Sequence, residues 1–371
     1  MLVDGDKAEV WTGNQSTTFV INGVAEGAGI SKSKIKTNIT YLGGGFGRRG
    51  ETDFVLKAAK IAKQLPGTPV QLVYTREEDM KNDFYRPAVI AQMKAALDDN
   101  SILGWKKKVG TQGALSQLFK RNISMMTLKA EDDQSTTEGM RELPYIMGAA
   151  YTDVTCVDLP VSVGTWRSVG HSHNAFFSES FLDECAAALK RDPYELRKEL
   201  LKDSPRYLAV LNKVAEIGRW QQKAEGKFKG IAIHEAFGSI VGEVAEISLS
   251  GKDVKVEKVF CVIDCGKTVN PKIIESQMQS GIVYGLTAAL YGEISLKEGK
   301  IVQSNFPNYE MVMMNTMPHV EVVIIDSDEQ PGGVGEPGTP PIAPALTNAI
   351  FAASGERIRS LPISKHGYQF V

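Results

Sequence analysis

Apolar and polar residues alternate along 8–12, 35–42, 88–97 and 102–110, and again along 244–249, 254–263 and 319–325, the period of half-buried strands. Between them lie stretches that read as helices. Ser16 or Thr17 caps a short one reaching Ala28, weakened by Gly23 and Gly27, and 53–64 carries Phe54, Ala58, Ile61 and Leu65 at helical spacing before Pro66-Gly67 stops it. Strand 35–42, a glycine loop, helix 53–64 and a strand at 70–74 have the order of a crossover unit. Further on, 174–190, 193–200, 205–217 and 273–290 read as helices, two of them with proline at a permitted first-turn position. The segment 294–302 reads as a hairpin turning at 297–300, and 345–354 as a helix ending at Gly355. The polar stretch 112–142 reads as a loop-rich insertion, and 220–230 as a connector.

The hairpin around 98–101 and the one around 251–253 repeat the same grammar. With 371 residues the chain also exceeds the size at which one core usually stops growing. Both observations predict an α+β chain of two related mixed α/β halves, 1–222 and 223–371.

The chain carries 42 basic and 44 acidic residues, a net charge of −2, and 43% hydrophobic residues, so it is globular and offers no electrostatic footprint for nucleic acid. The one compact basic run, Lys106–Lys108, is expected on a solvated strand face. The four cysteines form no Cys-x-x-Cys pair, which excludes a zinc ribbon and a ferredoxin-type cluster in this stretch. No apolar run approaches the roughly 20 residues of a membrane helix. The start lacks the pattern of a signal peptide, which leaves the compartment open.

Two glycine-rich stretches are candidates for chemistry. Gly43-Gly-Gly-Phe-Gly-Arg-Arg49 places several backbone amides at a strand-to-helix junction, either as a tight turn or as backbone packed against something flat or anionic. It is not a nucleotide fingerprint, because Arg48 stands where a third glycine is needed and no Gly-Lys-Ser/Thr follows. In the second stretch, 332–345, four glycines surround a single acid, Glu336, which Pro337 bars from the helical region. Its plain reading is a loop before a C-terminal helix. Arg167, among small residues ahead of a helix, suits phosphate or a carbonyl, or that helix start is simply capped and followed by surface histidines. His171 and His173 have no third partner for zinc, and no side chain is expected to ligate a metal directly. Asp264-Cys-Gly-Lys-Thr-Val-Asn-Pro271 reads as Asx-turn chemistry capping the helix that holds Gln277.

Six ordered motifs carry a resemblance: Trp-Thr-x-x-Gln at 11–15, Gly-Gly-Gly-Phe-Gly-Arg-Arg at 43–49 and Asp-Phe-Tyr-Arg-Pro at 83–87. They continue with Trp-Arg-Ser-Val-Gly-His-Ser at 166–172, Asp-Cys-Gly-x-x-Val-Asn-Pro at 264–271 and Gly-Val-Gly-Glu-Pro-Gly-Thr-Pro-Pro-Ile-Ala-Pro-Ala at 333–345. Over nearly its whole length the chain resembles the molybdenum-binding large subunit of the xanthine dehydrogenase and aldehyde oxidase family. Gln279-Ser280 stand where an acid and a glycine are expected after Gln277, and Gly13-Asn14 where a Pro-Thr pair is expected.

The resemblance implies two halves of the molybdenum cofactor-binding domain type. It implies molybdopterin cytosine dinucleotide as the cofactor, Gln15 bonded to an oxo ligand of molybdenum, and Glu336 as the catalytic base. Gly45 and Phe46 would lie against the metal, and Gly44, Gly47, Gly333 and Gly335 would also bind the cofactor. Arg167, Ser168 and Gly170, then Asp264, Cys265, Gly266 and Asn270, and finally Gln277 would hold the pterin and its nucleotide tail. The implied partner is a small [2Fe–2S] subunit, and the implied reaction is hydroxylation of an N-heterocycle or aldehyde carbon with water-derived oxygen. Large subunits of the family begin with a further domain ahead of the Trp11 region, so this stretch is expected to be an excised domain or a split-gene product. The rival reading is a non-catalytic fragment that keeps the fold and a partner-binding surface. A nucleotide-binding regulatory module is disfavoured by the failed phosphate signatures.

Overall fold

A computed structural model describes residues 1–123 and 128–371. Its first layer forms around strand Lys7–Thr12, helix Thr17–Ala28 and strand Ile35–Ile39, the two strands pairing in parallel from Ala8↔Ile35 to Thr12↔Ile39. Ser16 caps the helix by accepting from the Phe19 amide. Gly27 has a packing role. A β-carbon there would stand 2.8 Å from the Ala59 methyl, so this glycine face lets helix Asp53–Lys63 lie close against helix Thr17–Ala28.

The crossover unit therefore comes one element earlier than the pattern suggests. Residues 70–74 join no ladder; Val70 exchanges backbone hydrogen bonds with Met1 at 2.8 and 3.0 Å, and the Tyr74 hydroxyl donates to Asp53 at 3.2 Å. Strand 35–42 ends at Ile39, which releases 40–47 as the glycine loop.

Strands Ile90–Leu97 and Ile102–Thr111 form the expected antiparallel hairpin. A third strand, Ala149–Cys156, which the sequence pattern did not show, continues the sheet in parallel. The solvated-face expectation holds for Lys106 and Lys108 but not for Lys107. Its alternate position turns it inward, where it is 1% exposed, donates to the Met140 carbonyl, and has its pKa lowered to about 8 by burial. The insertion 112–142 contains helix Ala114–Asn122, fastened by Asp133, whose carboxylate accepts from the amides of Ser116 and Ser135. Its part at 124–127 lies outside the described residues.

The second half is built on a sheet ordered His319–Ile324, Asp253–Asp264, Ser239–Ser250, Phe228–Ala236. It repeats the first hairpin sheet, because an antiparallel pair is again extended by a parallel third strand. Strand Phe228–Ala236 starts inside the stretch read as a connector. Both faces are covered: Cys261 and Ile263 point to a core with Leu346 and Ile350 of helix Ile342–Ser354, while Phe260 and Val262 point to one with Val210 and Val214 of helix Pro205–Ile217. Two-sided burial explains the nearly continuous apolar run at 259–263.

Helix His171–Ala188 is fastened to the sheet by a buried ionic node. Glu179 accepts from Arg197 Nε at 3.0 Å, the Tyr145 hydroxyl at 2.5 Å and the Ile233 amide at 3.1 Å. Among the described residues no helix is long and apolar enough to cross a membrane.

Candidate functional site

Gln15 lies just ahead of helix Thr17–Ala28, at the C-terminal end of strand Lys7–Thr12, and the glycine loop follows the parallel strand beside it. Parallel pairing brings the two loops to the same edge. The Gln15 amide to Arg49 carbonyl bond is 3.0 Å, and Gln15 Oε1 accepts from the Gly47 amide at 3.0 Å. This orientation leaves the Gln15 NH₂ free to donate. Gly45 lies directly against that side chain, with no room for a β-carbon, which would stand 2.3 Å from Gln15 Oε1. Gly44 is covered by the Phe46 ring in the same way, and Phe46 itself has φ +52°. Asn14, at one of the departures, accepts from the Ser16 amide and shapes the turn.

Arg167 and Ser168 reach across to the Glu336 loop. Arg167 Nε donates to the Gly335 carbonyl at 2.8 Å, Nη1 to Ser280 Oγ at 3.0 Å and Nη2 to Gln277 Oε1 at 3.1 Å. Ser280, the other departure, thus helps to hold the guanidinium. The Ser168 amide donates to Glu336 Oε1 at 2.9 Å and the Ser168 hydroxyl to the Glu336 carbonyl at 2.8 Å. These bonds require Ser168 and Val169 at φ +70° and +42°, backbone that is costly for residues with a β-carbon. The Arg167 guanidinium also lies over the Phe46 ring, 5.7 Å from its carbon to the centroid, which joins Gln15 and the glycine loop to Ser168, Gln277, Gly335 and Glu336 through one set of contacts.

The remaining candidates sit around this set. The Gly170 amide donates to Glu138 Oε1 at 2.6 Å. The Gly333 amide donates to the Phe237 carbonyl at 2.8 Å. Asp264 binds Arg206 through both oxygens, at 2.8 and 3.0 Å, and also accepts from Gly266 N. Burial works against its charge, but Arg206 and that amide together hold its pKa below the ordinary value. Cys265 accepts from the Gly332 amide through its carbonyl, which straps this loop to the one carrying Glu336. Asn270 caps helix Pro271–Leu290 through the Ile273 amide. The hydrogen-bonding groups of Asp264 and Asn270 are turned onto the chain itself.

A cleft of about 1460 Å³ opens beside this set, and of its candidates only Phe46 and Gly47 line it. Phe46 stacks on Tyr284 at 5.0 Å between ring centroids, and Tyr284 meets Trp166 at 4.7 Å. Sequence reasoning missed Tyr284, which lies seven residues, two helical turns, beyond Gln277. It also missed Arg86, His173 as a cleft residue, and Glu138. The histidines are not on the surface: His171 Nδ1 lies 3.0 Å from His234 Nε2, and burial lowers the His171 pKa to about 4. Burial likewise raises the Glu138 carboxyl to about 7, against the pull of the Gly170 amide and with a push from the charges of Asp133 and Glu336.

Residues 1–201 match the family described as the molybdopterin cofactor-binding domain, and 198–318 match a second family of the same description. This chain belongs to the molybdopterin cofactor-binding family of the xanthine dehydrogenase and aldehyde oxidase type. Within it, the isoquinoline 1-oxidoreductase subunit beta of Brevundimonas diminuta is 31% identical over 365 residues, covering 96% of this chain and 46% of that one. The membrane-bound aldehyde dehydrogenase [pyrroloquinoline-quinone] of Gluconacetobacter polyoxogenes is 27% identical over 384 residues, covering 96% and 49%. The chain thus spans about half the length of these relatives. Quinoline 2-oxidoreductase from Pseudomonas putida 86 shares the fold, with a TM-score of 0.78 at 15% identity over 96% of this chain and 71% of that one.

A molybdopterin cofactor of this family fits the residues present. The Gln15 NH₂ has no partner among the described residues, Gly45 leaves backbone bare beside it, and one oxygen of Glu336 is uncommitted. The Thr339 hydroxyl, buried in the same loop, also lacks a partner.

Proposed function

We propose that this chain is the cofactor-binding catalytic part of a molybdenum hydroxylase, which inserts water-derived oxygen at an electron-poor carbon of an N-heterocycle or an aldehyde. The observation that carries this reading is the pair of Ser168 bonds that aim Glu336 from a loop adjoining the Gln15–Gly45 cradle. Molybdopterin cytosine dinucleotide with molybdenum supplies the two-electron oxidation when bound. Gln15 donates to it through its free NH₂, while bare backbone at Gly44–Gly47 permits close contact. Arg167, Ser168, Gly170 and Gln277 hold the pterin, and the loop from Asp264 to Asn270 shapes the place of its nucleotide tail. Glu336 takes a proton at its uncommitted oxygen as the oxygen nucleophile attacks.

Two halves, 1–222 and 223–371, enclose this site in the proposal. Electrons leave through a small [2Fe–2S] subunit, since the cysteines of this chain have no cluster spacing. The test is molybdenum and pterin content of the complex, followed by an activity screen over N-heterocycles and aldehydes. A complex loaded with molybdenum that oxidises none of them sinks the reading. Absence of metal under conditions that load a known relative favours the non-catalytic fragment, which keeps only the fold and a partner surface.

A further inference from the structure

Arg86 is a cation without a counter-ion among the described residues, in the wall of the large cleft. Its guanidinium lies over the Trp166 ring, 4.6 Å from its carbon to the centroid, and among the described residues it makes no hydrogen bond and no ion pair. The nearest acid in sequence, Asp83, is taken by Arg48 Nε at 2.6 Å. The other cations lining the cleft are accounted for: Arg48 also binds Asp53 and Asp79, Arg359 binds Glu184, Lys365 binds Glu293, and Arg76 is exposed on the Phe306 ring. Arg86 is half-buried in the cleft wall, and desolvation with no carboxylate to offset it lowers its pKa to about 10, so it remains charged at neutral pH. A guanidinium placed this way is costly unless a ligand meets it.

Its surroundings are also unspent. His173 lines the same cleft, is 7% exposed, and has neither ring nitrogen bonded; burial, and then the charge of Arg86, keep it neutral. The hydroxyls of Tyr284 and Tyr309, which interact electrostatically with Arg86, make no recorded hydrogen bond among the described residues. Trp166 and Tyr284 supply flat walls, and the stack runs on to Phe46 of the glycine loop.

We propose that Arg86, with His173, Tyr284 and Tyr309, forms a carboxylate subsite that takes an aromatic or heteroaromatic carboxylate. A planar guanidinium accommodates a carboxylate through two parallel N–H bonds, a neutral imidazole and two phenols add donors, and the aromatic side chains beside them offer the ring a flat apolar wall. A phosphate group is the poorer match, because such sites gather backbone amides and several cations, whereas here a single unpaired cation stands among side chains. The proposal rests on the hydroxylase reading only in making that carboxylate the substrate.

The test is calorimetric titration of the full chain with benzoate, its neutral isostere benzamide, and pyrophosphate. Benzoate is expected to bind at least about ten-fold more tightly than benzamide, the scale of a charge-assisted bond. Arg86→Met should bring benzoate to the benzamide level, and Arg86→Lys, which keeps charge but loses the fork, should fall between. Equal affinity of wild type for benzoate and benzamide overturns the proposal, and that comparison needs no variant to fold. Preferential binding of pyrophosphate at this site overturns it too, by assigning it to a phosphate. In the loaded complex, heteroaromatic carboxylates should be turned over in preference to the matching amides. A complex that turns over neither while benzoate still outbinds benzamide removes the hydroxylase reading and leaves the subsite standing. Turnover with no preference for the acids removes the subsite alone.

Discussion

Ser168 holds Glu336 twice, through its amide to Oε1 at 2.9 Å and through its hydroxyl to the backbone carbonyl at 2.8 Å. One carboxylate oxygen is thereby fixed and the other left open, the arrangement a base needs if it is to be aimed without being consumed. Glu336→Gln keeps the shape and the acceptor for Ser168 but cannot take a proton. In the loaded complex it should retain nearly all its molybdenum while turnover falls by about two orders of magnitude or more. The quantity to measure is rate per bound molybdenum, and an unchanged value removes Glu336 from the mechanism.

Two glycines of the same loop should respond very differently to alanine. Gly43 has open space around the position of a β-carbon, so Gly43→Ala should change stability by less than about 1 kcal/mol. Gly47 has φ +91°, and its β-carbon would stand 1.2 Å from the Thr165 carbonyl oxygen. Backbone must move, and with it the contact to Gln15. Gly47→Ala should cost about 3 kcal/mol or more in urea unfolding. Similar midpoints for the two variants would contradict this placement of the loop.

The buried node under helix His171–Ala188 should be costly to break from one side. Arg197 is fully buried and pairs with Glu179 and Asp183; Asp183 also has Arg357, whereas Glu179 has no second cation among the described residues. Arg197→Met should lower stability by about 3–5 kcal/mol. Adding Glu179→Gln should restore part of the loss, since the stranded charge goes with it. A single-variant loss under about 1 kcal/mol would show that the node contributes little.

Much of this was legible where local chemistry decides the backbone. Asp192-Pro193 and Asn270-Pro271 start helices because the Asx side chain accepts from the first-turn amides and proline lacks an amide to strand, and both helices begin at those prolines. The glycine loops announced close backbone contact. Pairing was harder to read. Residues 70–74 alternate half-buried and exposed as a strand would, yet alternation records a solvent boundary and not a partner. Strand Ala149–Cys156, with its alanines, threonines and aspartate, carries too little apolar contrast to announce itself. Lys107 departs from the solvated-face expectation because a charge run hides which of its members points inward. Arg86 and Glu138 gain their character from residues 80 and 32 positions away, Trp166 and Gly170, which no local pattern encodes.

Glu138 should give the fold a pH dependence of definite sign. Burial raises its carboxyl from an ordinary value near 4.5 to about 7, with the Gly170 amide pulling it down and the charges of Asp133 and Glu336 pushing it up. His171 Nε2, 3.9 Å away, offers no compensating charge at neutral pH, because burial lowers its own pKa to about 4. Between about pH 4.5 and 7 the folded chain therefore holds more proton at this site than the unfolded chain, and stability falls as pH rises through that window. The loss is at most about 3 kcal/mol, reduced by solvent at the partly open carboxyl. Glu138→Gln keeps an acceptor for the Gly170 amide and abolishes the titration. Urea unfolding of both proteins from pH 4.5 to 7.5 should show wild type losing about 1–3 kcal/mol relative to the variant, and parallel curves would exclude Glu138 as the source. With the geometry described, removing the Glu336 charge lowers the Glu138 pKa and the loss becomes smaller and complete at a lower pH.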